Sequence, residues 1–288
     1  MYYYVRALTL QHFSFQWKDL FHAVPFAVLV IAFSALAFVP QRGEIMGALN
    51  MILPWLFILQ MGAYFFSIGR LLQHHRKNIK ENFSSVEKIN LNWMSLLTAG
   101  QAVIWPVAFY IEMTGGDSHA WNVVWLMVSA LMYAMGYFGL RQPEIFTGKF
   151  SEERTASEPA RKKYEKSTLS AEDSSEIVGR LHELIGSEKL YLNSALSLPD
   201  LAKRLAVSTH HLSQILNESI GVNFYEYVNG KRVEEAKQML KDPKLNHLSI
   251  AGIGFEAGFN SLSAFNAVFK KHTGSTPSAF RETRLDVQ

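Results

Sequence analysis

The sequence predicts an all-α protein of two unlike halves: a multi-span transmembrane helix bundle, followed by a cytoplasmic module with two helix-turn-helix units. Three observations predict it. Four long apolar runs crowd the first 145 residues, Lys, Arg, Glu, Asp, Ser and Asn concentrate in the remainder, and one helix–turn–helix pattern occurs twice in the second half. The whole-chain averages, 49% hydrophobic and 18% charged, merge the two compositions and hide the contrast. The reading divides the chain into a membrane part at 1–145, a polar linker at 146–170 and a helical module at 171–288.

The expected spans are about 20–40, 45–69, 91–111 and 119–140. Each is free of Lys, Arg, Asp and Glu, and each has about the 20 residues that cross a hydrocarbon core of about 30 Å. Trp17, Phe21, Trp93, Trp121 and Tyr137 lie near the run ends, where aromatic rings favour the interface. Pro25, Pro54 and Pro106 break soluble helices but are tolerated within membrane bundles. Arg70, Arg76, Lys77, Lys80 and Lys88 fall between the second and third runs, and another basic cluster follows the fourth. The loop 112–118 has neither Lys nor Arg. The positive-inside bias therefore places the middle loop and both termini on the cytoplasmic side of the membrane. Asn50, Gln60, Gln101 and Glu112 lie in or beside the spans. They read as interhelical hydrogen-bond partners ahead of a pocket for an unknown signal.

Thr147–Ser170 is polar and mixed in charge, the composition of an exposed connection. Its Arg161-Lys162-Lys163 run reads as a solvated face ahead of a lipid or phosphate contact. Beyond it, Ile177, Leu181, Leu184 and Ile185 recur at helical spacing, which predicts a helix over about Ala171–Ile185. Its apolar stripe is expected to pack on the following module or on a second copy of the chain, as in a homodimer.

Residues 197–221 then read helix, turn, helix. Leu198, Leu201, Ala202 and Leu205 form the buried face of the first helix, with Ser197 or Asp200 at its start. Ala206-Val207 makes the turn and Ser208 caps the second helix, where Leu212, Ile215 and Leu216 point inward. His210, His211, Ser213, Gln214 and Asn217 are left over, and a short helix with such a face fits a DNA major groove about 12 Å wide. A longer helix is expected over about Asn223–Lys241, with a packing reason for Gly230 inside it. The pattern then repeats. Ser249–Ala257 is a helix, Gly258-Phe259 the turn, and Ser261 the cap of a second probe helix whose Phe265, Val268 and Phe269 face inward. Leu262, Ser263, Asn266 and Ala267 are candidates for the groove, Lys270 and Lys271 for phosphates.

Residues about 195–284 resemble the AraC family along the full length of its DNA-binding domain. The matching string is Arg232-Val233, Ala236, Leu240, Ile250, Ile253, Gly258-Phe259, Ser261, Phe265, Phe269-Lys270-Lys271, Gly274, Pro277 and Phe280-Arg281, with Ser208, Leu212-Ser213 and Gly221 in the first half. The resemblance implies two helix-turn-helix units joined by a long helix, each placing one helix in successive major grooves of double-stranded DNA. It implies base reading by His210, Ser213 and Gln214, then by Leu262, Ser263, Asn266 and Ala267. Leu262 and Ala267 stand where relatives often carry polar or basic residues and offer only apolar contact to thymine methyls. Gly252 and Gly254 predict a loose helix before them. YYVRALT, HHRKNIKENFSSVEKINLNW and GLRQPEIF resemble landmarks of a membrane-bound bacterial group, frequent in Bacteroidetes, in which spans precede this domain. Relatives there carry further spans ahead of YYVRALT, which implies a start at an internal Met.

Other chemistries find little support. The chain has no cysteine, which removes disulfides and thiolate sites. Gly252, Gly254 and Gly258 miss the dinucleotide spacing by one residue and lack a βαβ context. His74-His75 and His210-His211 are adjacent pairs that diverge by about 100° on a helix, so neither pair chelates alone. No cofactor, metal or enzymatic activity is expected. The net charge of +3 is compatible with a polyanionic partner without requiring one. A membrane anchor with a protein-binding module, and a transporter or ligand-binding bundle with a regulatory tail, are the competing readings.

Overall fold

The computed structural model describes residues 2–9, 15–36, 38–39, 42–87, 89–141 and 171–285. The linker expected at 146–170 and the side chain of Asn50 lie outside the described residues. Helices are the regular secondary structure of the described residues, and packing divides the chain into two units. One comprises Met1–His74 with Leu91–Arg141, the other His75–Asn90 with Gln142–Gln288.

The first unit opens with α1, Tyr2–Thr9. A 3-10 turn, Trp17–Ala23, leads into α2, Val24–Leu36. Then come α3, Arg42–Asn82, α4, Asn92–Thr114, and α5, Ser118–Arg141. Four of its helical stretches are long and apolar enough to cross a membrane: Trp17–Leu36, Arg42–Asn82, Asn92–Thr114 and Ser118–Leu140. Their apolar side chains largely face outward. Phe26, Leu59, Leu126 and Tyr133 are 72, 72, 71 and 83% exposed, an arrangement that water disfavours and hydrocarbon does not. α4 and α5 meet along Ile104, Ala108, Ile111 and Val124. Gly100 permits the approach, because a Cβ there would lie 2.9 Å from the Leu131 side chain. Beside this seam is a cavity of about 400 Å³, lined by Gln101, Trp105, Trp121, Trp125 and Met132 among others. Gln60 and Glu112 are exposed.

α3 has 41 residues, far more than its apolar run requires. Its last turns, from His75, belong to the second unit.

That unit is a pair of small helical cores. α6, Ala171–Glu188, runs slightly past its expected end. Its Leu181 and Ile185 join Leu198, Leu201, Leu205, Leu212, Leu216, Phe224 and Val228 in the first core. The stripe on α6 is therefore spent on its own module. Arg180 Nη2 reinforces this by donating to the Leu205 carbonyl at 2.7 Å. α7, Leu198–Arg204, and α8, Thr209–Ile215, form the first helix-turn-helix. Ser197 caps α7, and Asp200 completes a capping box. A π-helical turn, Leu216–Ile220, extends α8 before α9, Phe224–Lys241, begins at the cap Asn223. α10, Ile250–Glu256, α11, Leu262–Thr273, and α12, Pro277–Leu285, surround the second core of Val233, Ala236, Leu240, Ile253, Phe259, Phe265 and Phe269. α9 contributes its first half to one core and its second half to the other.

The two turns have the same hydrogen bonds. Val207 N–H donates to the Ala202 carbonyl and Ala206 N–H to Lys203; Phe259 N–H donates to Gly254 and Gly258 N–H to Phe255. This is the Schellman pattern, which needs a left-handed residue. Ala206 supplies it at φ 56° and Gly258 at φ 92°. At position 258 the glycine is also a spatial necessity, since a Cβ would fall 2.5 Å from the Tyr191 carbonyl oxygen.

Gly254 corrects the expectation of a loose helix: α10 is closely packed there, and a Cβ would lie 2.7 Å from the Phe265 ring. Gly230 has no comparable role, for its nearest neighbour is a His272 ring atom at an ordinary 3.7 Å.

Gly258→Ala is expected to destabilise the second unit by about 2 kcal/mol or more, combining left-handed strain with a backbone clash. Ala206→Gly, by contrast, is expected to change stability by less than about 1 kcal/mol. Thermal unfolding of the solubilised full chain checks both.

Candidate nucleic-acid interface

The first candidate face is built by the cap of α8. Ser208 is buried, and its Oγ accepts the His211 N–H at 3.0 Å. That fixes the helix start while Leu212 and Ile215 anchor the opposite side at 0 and 1% exposure. His210, Ser213, Gln214 and Asn217 then share one face at spacings of three and four residues, exposed or partly exposed. His211 does not join them, since it is only 7% exposed. The face is internally bonded. Asn217 Nδ2 donates to the Ser213 carbonyl at 2.8 Å, and Gln214 Nε2 to Glu218 Oε2 at 3.0 Å. Glu218 went unnoticed in the sequence, although its i+4 relation to Gln214 was visible.

The second face stands on α11. Ser261 Oγ caps the helix by accepting the Ala264 N–H at 3.2 Å. Ala264, Phe265, Val268 and Phe269 are buried, which leaves Leu262, Ser263, Asn266, Ala267 and Lys270 exposed together on the other side. Leu262, at 42% exposure, is a large apolar group held out from the core. Lys271 is engaged: its Nζ donates to Glu226 Oε1 on α9 at 2.8 Å. This bond holds the Glu226 carboxyl below the usual carboxylate range, against a smaller opposing effect of burial.

Between the faces, α9 carries Arg232, fully buried at 0% exposure. Its Nε donates to the Tyr191 carbonyl at 2.7 Å, and Nη2 to that of Asn193 at 2.9 Å. Further donations go to Asn229 Oδ1 at 3.1 Å and, at 3.0 Å each, to the carbonyl and Oγ of Ser84. Burial pulls its pKa down to about 10, so the group is still a cation near neutrality. Arg232 formed part of the matching string without an assigned role. Its position four residues from both Val228 and Ala236, on the core face of α9, was the available signal.

Among the described residues no group of three His, Cys, Asp or Glu side chains gathers to hold a metal. Two capped helices, each presenting a polar face from a rigid core and joined by one long helix, define a double helix-turn-helix module.

Comparison with known proteins agrees. A family model described as "Helix-turn-helix domain" matches residues 201–283. The chain is 33% identical over 94 residues to the "Probable transcription factor PqrA" of Proteus vulgaris, covering 33% of this chain and 75% of that protein. It is 33% identical over 116 residues to the "Msm operon regulatory protein" of Streptococcus mutans, covering 36% of this chain and 41% of that protein. A solved structure, the C-terminal domain of AraT, a response regulator from Geobacillus stearothermophilus, is 30% identical. It aligns over 41% of this chain and 89% of that one, with a TM-score of 0.34. The chain belongs to the AraC family of helix-turn-helix transcriptional regulators. It spans less than half the length of the Streptococcus mutans relative.

The Glu226–Lys271 pair predicts a pH dependence. A depressed folded-state pKa stabilises above the ordinary carboxylate value of about 4.3, and the contribution is lost as pH falls through the folded value. Glu226→Gln is expected to remove that acid-side loss, which for a pair this exposed amounts to about 0.2–1 kcal/mol. Denaturant unfolding at pH 3 to 6 measures it.

Proposed function

We propose that this chain is a membrane-anchored transcription regulator that reads double-stranded DNA with α8 and α11 and responds to a signal through its membrane part. The observation that carries the reading is the pair of exposed faces at equivalent places in two capped helix-turn-helix units. Ser213, Gln214 and Asn217 offer amide and hydroxyl groups to base edges, and His210 lies beside them. Asn266 and Ser263 do the same from α11, Leu262 and Ala267 add apolar contact, and Lys270 supplies charge for a phosphate. Lys271 joins it when released from Glu226.

The anchoring rests on the outward apolar surfaces of α2 to α5 and on the charge of the loops. The domain division proposed is 1–145 in the bilayer, 146–170 as linker and 171–288 as the DNA-reading module. The basic loop after the second span packs within the second unit, so the two share one side of the membrane. The positive-inside bias makes that side the cytoplasm. The cavity beside α4 and α5, with Gln101 in its wall, is a place where an apolar signal molecule would fit.

Full-length protein in detergent is expected to enrich a duplex from a randomised pool. Gln214→Ala should weaken that duplex about tenfold, within the 1–3 kcal/mol typical of a lost base contact. Lys270→Ala should weaken all duplexes alike and lower the salt slope by about 1. Resistance of the chain to alkaline carbonate extraction tests the anchor. Failure to retain any duplex in dilute salt would favour a protein-binding module instead.

A further inference from the structure

The loop between the second and third spans does more than connect them. Phe83 and Ser84 are 8 and 1% exposed, far more buried than a connecting loop requires, and Ile79 in the last turn of α3 before them is 1% exposed. Ser84 uses every polar atom it has. Its N–H and its Oγ both donate to the Leu196 carbonyl, at 3.3 and 2.6 Å. Its carbonyl accepts from Asn229 Nδ2 and from Arg232 Nη1, each at 3.0 Å, and its Oγ accepts from Arg232 Nη2 at 3.0 Å. Phe83 pairs with Ser197 in an isolated antiparallel bridge, and the Lys80 ammonium lies 5.9 Å from the centre of the Tyr225 ring.

We propose that residues 82–85 are a plug seated in a socket of the DNA-reading module, and that its seating sets the relation between the two helix-turn-helix units. The proposal rests on the DNA-reading function above. The socket lies at the joint of those units. Leu196 and Ser197 lead into α7 of the first. The Tyr191 carbonyl, which accepts from Arg232, is the atom that Gly258, the turn residue of the second, closely approaches. The Arg232 guanidinium also faces the Phe259 ring at 5.8 Å.

A buried guanidinium must place its five N–H donors. Here two of them go to Ser84, and the socket is complete only with the plug in place. Withdrawing the plug exposes or orphans those donors, so the joint either opens to water or rearranges. Two probe helices meet successive major grooves only at a separation near one helical turn, about 34 Å. A changed joint therefore alters DNA affinity without touching either reading face. α3 is a single helix from Arg42 to Asn82 and ends at the plug.

The test uses the full chain in nanodiscs of phosphatidylethanolamine and phosphatidylglycerol, followed by hydrogen–deuterium exchange. Peptides covering 82–86 are expected to exchange at least tenfold slower than an unstructured chain. Ser84→Val should speed exchange at least threefold at 189–197 and 225–232 while leaving 262–273 unchanged, and Arg232→Lys should act in the same direction. Circular dichroism confirms that the variants fold. Affinity for a duplex enriched by the wild-type chain should change at least threefold in Ser84→Val. Unprotected 82–86 peptides, or effects of Ser84→Val confined to its own loop, overturn the plug. Altered exchange with unchanged duplex affinity overturns its control of reading. If the wild-type chain retains no duplex while the exchange pattern appears, the DNA-reading function falls and the seated plug stands.

Discussion

The second unit is organised around one buried cation. Arg232 sits at the middle of α9, between two apolar cores that do not merge, and the acceptors it reaches are neutral: carbonyls of Tyr191, Asn193 and Ser84, and side-chain oxygens. The Glu87 carboxylate favours the charged form from outside this set, and a buried guanidinium bonded to neutral oxygens depends on the completeness of its hydrogen bonds. That requirement fixes the 189–193 segment against α9, brings Gly258 close to the same backbone and gives the inter-span loop its seat. The apolar cores supply most of the folding energy, but apolar contact is non-directional. The directional bonds of Arg232 determine how the cores are joined.

Around this joint, the caps make each helix-turn-helix rigid enough to present a face. Ser197, Ser208, Ser249 and Ser261 each place Oγ on a backbone N–H of the first turn of α7, α8, α10 or α11. These helices are short, with seven residues in three of them. A helix so short has no intrinsic stability in water. It persists because its cap, its Schellman turn and its apolar face agree. Presentation of a polar surface is then a by-product: what the core does not take, the solvent side keeps.

Much of this was legible in the sequence. The apolar runs and the caps Ser208 and Ser261 followed from length and local chemistry, the choice between Ser197 and Asp200 stayed open, Ser249 was read as part of its helix, and the recurrence of helix, turn and helix gave the double module. The direction of the face on α11 followed from Phe265, Val268 and Phe269. His211 was less legible: its neighbour His210 has the same chemistry, and only the 100° step along the helix separates an outward ring from a buried one. Gly254 was read through propensity alone, and its close contact with Phe265 depends on a helix crossing that sequence does not specify. The place of Ser84 was invisible for a further reason. More than a hundred residues separate it from Leu196 and Arg232, and no local periodicity encodes so distant a partnership.

The length of α3 has a mechanical consequence. At about 1.5 Å per residue its 41 residues make a rod of about 60 Å, roughly twice the thickness of a hydrocarbon core. Pro54 removes one internal donor from that rod, so flexure concentrates near that one turn.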